Sequence, residues 1–166
     1  MMAGTNAFIV TKPSDAEITV TRIFDAPRAL AFDAFTKPQM VKNWLLGHGD
    51  WPLVECRIDL RVGGAFRYVW RNAEKGECGV SGTYKEISPP ARAVHTELFD
   101  EDWTGGERVF AAVFTENDGR TTVAVTVRYS ARAARDGALE TDMTSGWSAA
   151  YDRLDAYLPS LAERTV

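Results

Sequence analysis

The sequence predicts an α+β domain in which a curved antiparallel sheet of seven strands wraps around one long C-terminal helix. Three observations carry that expectation. From residue 53 to residue 129 the hydropathy pattern keeps a period of two through six successive segments, each bounded by turn residues. Residues 138 to 161 instead repeat apolar side chains at spacings of three and four, the mark of an amphipathic helix. Strands and helices do not alternate in βαβ fashion, which excludes a parallel nucleotide-binding sheet.

Residues 1 to 16 read as a partly ordered arm around a short apolar patch, Phe8, Ile9 and Val10, ahead of a single domain over 17 to 166. Glu17 to Phe24 alternates, with Ile18, Val20 and Phe24 on one side, and is the first strand. Asp25 reads as a helix N-cap and Pro27 as a first-turn residue. They open a short helix with Leu30, Ala31, Ala34 and Phe35 on its apolar face. A second short helix follows through Met40, Val41, Trp44 and Leu45, and a loop with Gly47, Gly49 and Pro52 comes after it. The remaining strands are expected at Leu53 to Leu60, Ala65 to Arg71, Gly79 to Ile87, Ala93 to Phe99, Arg108 to Glu116 and Thr121 to Tyr129. Between them lie Gly63-Gly64, Asn72 to Gly76, Ser88-Pro89-Pro90, Gly105-Gly106 and Asn117-Asp118-Gly119, which supply the backbone conformations that hairpins need. Consecutive strands joined so tightly form a meander.

One face of such a sheet has to be covered, and only the C-terminal helix is long enough to do it. Its stripe comprises Met143, Trp147, Ala150, Tyr151, Leu154, Leu158 and Leu161, with Thr141, Asp142, Ser145, Asp152, Asp155 and Glu163 mostly opposite. Gly146 is costly inside a helix; it is either a poor residue in a core helix or the sign of a close approach, by backbone or ligand. A sheet curled around a single helix cannot close on it completely, so a cavity between helix stripe and concave face is expected. Trp44, Trp70, Tyr84, Phe99, Phe110, Phe114, Trp147 and Tyr151 are the aromatic side chains available to line it.

Composition narrows the function classes. The chain has 166 residues, 45 % hydrophobic and 25 % charged, with 19 Lys and Arg against 23 Asp and Glu and a net charge of -4. Neither sign is gathered into a run, which argues against nucleic-acid binding and against a polybasic membrane anchor. Cys56 and Cys78 fall inside strands without metal-ligand spacing, and His48 and His95 are distant from them in sequence, so neither a metal site nor a cofactor is expected. No stretch approaches the length of a membrane span and no signal-like start is present, and the expectation is a cytoplasmic protein.

Phe24-Asp25-Ala26-Pro27-Arg28, Ala34-Phe35-Thr36-Lys37-Pro38 with Trp44, and Asp59-Leu60-Arg61-Val62-Gly63-Gly64-Ala65-Phe66 form a recognisable series. Gly82-Thr83-Tyr84 before Ser88-Pro89-Pro90, His95-Thr96-Glu97 and Gly146-Trp147 continue it. In their order and spacing, from about Glu17 to Leu158, these motifs resemble bacterial relatives of the activator of heat-shock protein 90 ATPase, within the START/SRPBCC superfamily. The resemblance implies a helix-grip fold. It also implies a scaffold shared by lipid carriers, cyclases, hydrolases and co-chaperone modules, so function has to be argued from the site.

His95 and Glu97, two apart on one strand, share a face. If that face is concave they bring an imidazole and a carboxylate into an apolar cavity, as a general base requires; if not, Val94, Thr96 and Leu98 fill the core instead. No nucleophile motif accompanies them: Ser81 and Ser145 lack a G-x-S-x-G frame, and catalytic residues remain unassigned. Binding of a hydrophobic or aromatic small molecule is the leading expectation, through Trp44, Trp70, Tyr84, His95, Glu97, Phe114, Met143, Gly146, Trp147 and Tyr151. The alternatives are a protein-interaction module acting on a chaperone or another protein partner, and a polyketide cyclase- or hydrolase-like enzyme. The valine-rich segment Thr121 to Tyr129, taken as an exposed edge strand, further suggests a homodimer.

Overall fold

The computed structural model describes residues 6–46 and 51–164, with the side chains of 162–164 left aside. The loop glycines Gly47 and Gly49, His48, and the side chain of Glu163 therefore lie outside the described residues. Eight antiparallel strands form one curved sheet in the order β1-β2-β8-β7-β6-β5-β4-β3. They are β1 Ile9–Thr11, β2 Glu17–Phe24, β3 Leu53–Ile58, β4 Ala65–Asn72, β5 Gly76–Ser88, β6 Arg92–Phe99, β7 Arg108–Asn117 and β8 Arg120–Arg128. The helices are α1 Arg28–Thr36, α2 Pro38–Val41, α3 Arg132–Leu139 and α4 Met143–Arg164. This is the helix-grip arrangement, with α4 held against the concave face.

Four features depart from the sequence reading. An eighth strand, β1, comes from the expected arm and pairs with β2 from Ile9↔Thr21 to Thr11↔Thr19; three residues are too few to show a period. Phe8, just before it, packs edge-on against Trp147 and Tyr151 at 6.3 and 5.8 Å. Asp25 is not a cap. Pro27 holds the N-cap position of α1, Asp25 pairs with Arg120 at 2.6 Å, and the backbone N–H of Arg28 donates to Glu116 Oε1 at 2.7 Å. A carboxylate from β7 thus serves the helix N-terminus that a local cap would otherwise satisfy.

The third departure is at the last helix, which is two helices. The Thr141 hydroxyl donates to the Ala138 carbonyl at 2.6 Å, closing α3, and accepts from the Met143 N–H at 3.2 Å, opening α4. Ala138 belongs to the end of α3, and its apolar phase runs into that of α4 without a visible break. The fourth concerns β8, which lies between β2 and β7 instead of at an edge. Its valines Val123, Val125 and Val127 are core side chains, so they offer no edge for a second copy to pair with.

Two buried clusters hold the sheet. The larger joins Ile18, Val20, Phe24, Val123, Val125 and Val127 to Tyr151, Leu154, Leu158 and Leu161 of α4. The smaller, at the far end, comprises Val41, Phe66, Tyr68, Val80 and Tyr84. Register shifts at Leu53/Glu55 and at Tyr84/Glu86 mark bulges that bend the strands of this far end. Gly82 has its own reason there: a Cβ would meet the Thr96 carbonyl oxygen at 1.7 Å.

Arg22, 2 % exposed, sits in the inward phase of β2 and reaches Asp152 of α4 at 2.7 Å and Asp155 at 3.5 Å. Asp152 itself is 64 % exposed. The cost of breaking the pair is therefore asymmetric, because only the arginine would be left buried and uncompensated. Removing both carboxylates, Asp152→Ala with Asp155→Ala, should destabilise by roughly 3 kcal/mol or more in urea unfolding, and Arg22→Met by distinctly less. Equal losses would show that the arginine's charge is not the issue.

Candidate functional site

Tyr151, Leu154, Leu158 and Leu161 of α4 are packed core, whereas Trp147 and Met143, one and two turns earlier, are only partly buried. Between that first part of α4 and the concave face lies a cavity of about 350 Å³.

All ten residues singled out from the sequence border it. Met143, Gly146, Trp147 and Tyr151 form the α4 wall, and a Cβ on Gly146 would meet nothing within 4 Å. Gly146 thus leaves open space, not a tight contact. Trp44 and Trp70 close one end, held by indole N–H donation to the Ala34 and Leu45 carbonyls, each at 2.9 Å. Arg153 of α4 fixes the same segment, donating to the Trp44 and Leu46 carbonyls at 3.2 and 2.6 Å. Phe114 and Tyr84 come from the sheet. Tyr84 owes its placement to the Arg61-Val62-Gly63-Gly64 turn, in which Gly63 at φ 85° donates its N–H to the Tyr84 carbonyl at 2.8 Å and Gly64 accepts from the Tyr84 N–H at 2.9 Å.

His95 and Glu97 point into the cavity, and Leu98 is 42 % exposed on the opposite face. His95 Nε2 and Glu97 Oε2 are hydrogen-bonded at 2.9 Å. The His95 ring stacks on Phe110 with centroids 5.1 Å apart and takes Phe66 edge-on at 5.0 Å. Glu97 Oε1 accepts from Arg108 Nη2 at 3.4 Å. Arg108, 4 % exposed, lies over the Phe99 ring at 4.8 Å and the Phe110 ring at 5.1 Å, and its Nε has no hydrogen-bond partner. Beside it, the Tyr129 hydroxyl approaches the Met143 sulfur at 3.4 Å. Arg108 and Tyr129 were not legible as site residues, although Arg108 shares the inward phase of Phe110, Ala112 and Phe114. Such a charge in an apolar phase was the available signal.

The remaining polar groups of the wall are held neutral. Burial pushes the Tyr68, Tyr84 and Tyr151 hydroxyls above the ordinary tyrosine value, and the Glu97 charge adds to this at Tyr84. Tyr129 moves the same way through burial, opposed by Arg108. Cys56 is pushed up to about 11 by burial, so it is not a thiolate nucleophile near neutrality. Among the described residues no three His, Cys, Asp or Glu side chains gather as metal ligands would.

Two measurements check this description. Leu154→Ala should cost roughly 2 to 5 kcal/mol as a core truncation, and Trp147→Ala distinctly less because it borders open space; the reverse order would mean the cavity is absent. For the tyrosines, a folded-state value raised above the unfolded one stabilises fully below about pH 10 and is lost as pH rises through the folded values. Stability should hold up to about pH 10 and fall above it, with the phenolate absorbance of the buried tyrosines appearing only with unfolding. Their ionisation in the folded protein would contradict their burial.

Comparison with known proteins agrees with the geometry. No curated protein matches the chain. A crystal structure of a protein from Rhodobacter sphaeroides is similar at 30 % identity and TM-score 0.87, covering 93 % of this chain and 99 % of that one. A Nitrosomonas europaea protein is similar at 20 % identity and TM-score 0.80, over 92 % and 99 % of the two chains. The AHSA1-like protein from Aeromonas hydrophila, at 19 % identity, has TM-score 0.68 over 88 % and 94 %. The last two show the fold alone. The family model described as activator of Hsp90 ATPase homolog 1-like protein matches residues 25–159, and with that span, the motifs and the helix-grip fold in agreement, the chain belongs to this family.

Proposed function

We propose that this protein binds an apolar, flat or elongated small molecule carrying one hydrogen-bonding group, in the cavity between α4 and the sheet. The family's fold serves ligand-binding or interaction modules in general, and the site supports the first kind. The observation that carries the reading is the cavity itself: about 350 Å³ of open space beside Gly146, walled by aromatic side chains, with a few polar groups converging at His95, Glu97 and Arg108. Small-molecule sites have that composition, mostly apolar with sparse orienting groups, and that order of volume. Tyr84 and Tyr151, held neutral, are further anchors.

The test pairs a ligand screen with two variants. Lipids and polycyclic aromatics that fit should raise the melting temperature in proportion to binding. Gly146→Leu puts four carbons into the open space and should abolish the shift while the protein still unfolds cooperatively. Glu97→Gln should weaken only ligands that offer a hydrogen-bond donor. If Gly146→Leu leaves binding intact, the ligand is not under this helix, and an interaction surface for a chaperone or another protein becomes the better reading.

A further inference from the structure

Resting on that reading, we propose that the polar end of the cavity is built for a neutral carbonyl oxygen, so that the preferred ligand class is an apolar ketone, ester or quinone. The argument starts from Arg108. A guanidinium carries five N–H donors and no acceptor. Here it is 4 % exposed and lines the cavity; among the described residues the polar side chains against it are two, Glu97 and the Tyr129 hydroxyl, while its enclosed Nε has no partner. Its contact to Glu97, 3.4 Å, is long for a guanidinium–carboxylate pair. The Phe99 and Phe110 rings lie against it at 4.8 and 5.1 Å and supply no conventional acceptor. Arg22 also has an unpartnered Nε, but it lies outside the cavity and both its terminal nitrogens meet carboxylates.

Charge decides what should meet the guanidinium. Arg108 and Glu97 cancel, and the other Glu97 oxygen is occupied by His95. The guanidinium therefore has more donors than the acceptors around it, and its counter-charge is already in place. A hydrocarbon offers no acceptor to the guanidinium N–H groups that border the cavity. A carboxylate brings a second negative charge beside Glu97, to share one guanidinium in apolar surroundings. A neutral carbonyl accepts the hydrogen bond and adds no charge.

The experiment compares three probes of one shape, 2-acetylnaphthalene, 2-ethylnaphthalene and 2-naphthoate, by calorimetry at neutral pH. The ketone should bind about tenfold or more tighter than the hydrocarbon, the size of one hydrogen bond to a charged donor, and the carboxylate no tighter than the hydrocarbon. In Arg108→Met combined with Glu97→Gln, which removes the ion pair as a unit, ketone and hydrocarbon should bind alike. The carbonyl stretch of bound ketone should lie at higher frequency in that variant than in the wild type. Equal binding of ketone and hydrocarbon by the wild type, or tightest binding of naphthoate, overturns the carbonyl assignment while leaving cavity binding in place. Failure of all three probes overturns both. Should the double variant not fold, the wild-type ranking and carbonyl frequency decide alone.

Discussion

A single helix has to cover a sheet several times its own width, and the rest of the structure follows from that mismatch. Eight strands at about 4.8 Å spacing span roughly 34 Å, and a helix with its side chains is about 10 Å across. The α4 helix can therefore seal only part of the concave face. Its packed residues Tyr151, Leu154, Leu158 and Leu161 share a core with β2 and β8. The strands beyond them bend at two bulges and build a second core around Phe66, Tyr68 and Val80. The cavity is what lies between the two cores, and the α1–α2 segment with Trp44 closes its end.

Buried arginines tie the layers where apolar contact runs out. Arg22 links β2 to the outer side of α4, and Arg135 links α3 to the start of β2 by donating to the Ser14 and Glu17 carbonyls at 2.8 and 3.2 Å. Both find their partners at a rim. Arg108 differs because its carboxylate, Glu97, also faces inward. Burying both members of an ion pair costs solvation that their attraction only partly returns, which makes this pair hard to explain as a device for stability alone. It stands among aromatic rings at one end of an open space.

The fold was legible because its signals are long. Six period-two segments and a stripe from Met143 to Leu161 survive local exceptions, and the family motifs span the same range. What stayed hidden was short or non-local. β1 has three residues and is specified by pairing with β2; α1 is capped by Glu116 from a strand 88 residues away. The break at residues 140–142 depends on one hydroxyl serving two helices. Strand order was also beyond reach, since a meander read in sequence puts β8 at an edge, whereas the return of β2 to its side puts β8 in the middle.

For the site, the sequence supplied the wall and missed the floor. Aromatic side chains at helical or alternating positions announce themselves, and all those named from the sequence border the cavity. A charge in such a phase is a fainter signal, because alternation alone cannot say which phase is inward until a partner strand is placed. The register Glu97↔Arg108 supplies that placement. It sets the carboxylate and the guanidinium on neighbouring strands of the concave face, with His95 two residues along. The loop before β7 then holds the strand's first residue in place: Asp102 accepts from the Thr104 and Gly106 N–H groups at 3.0 and 2.6 Å, while Gly105 and Gly106 take φ of 83° and 117°. A turn that looks from sequence like ordinary punctuation therefore fixes the start of the strand that carries Arg108, although none of its residues borders the cavity.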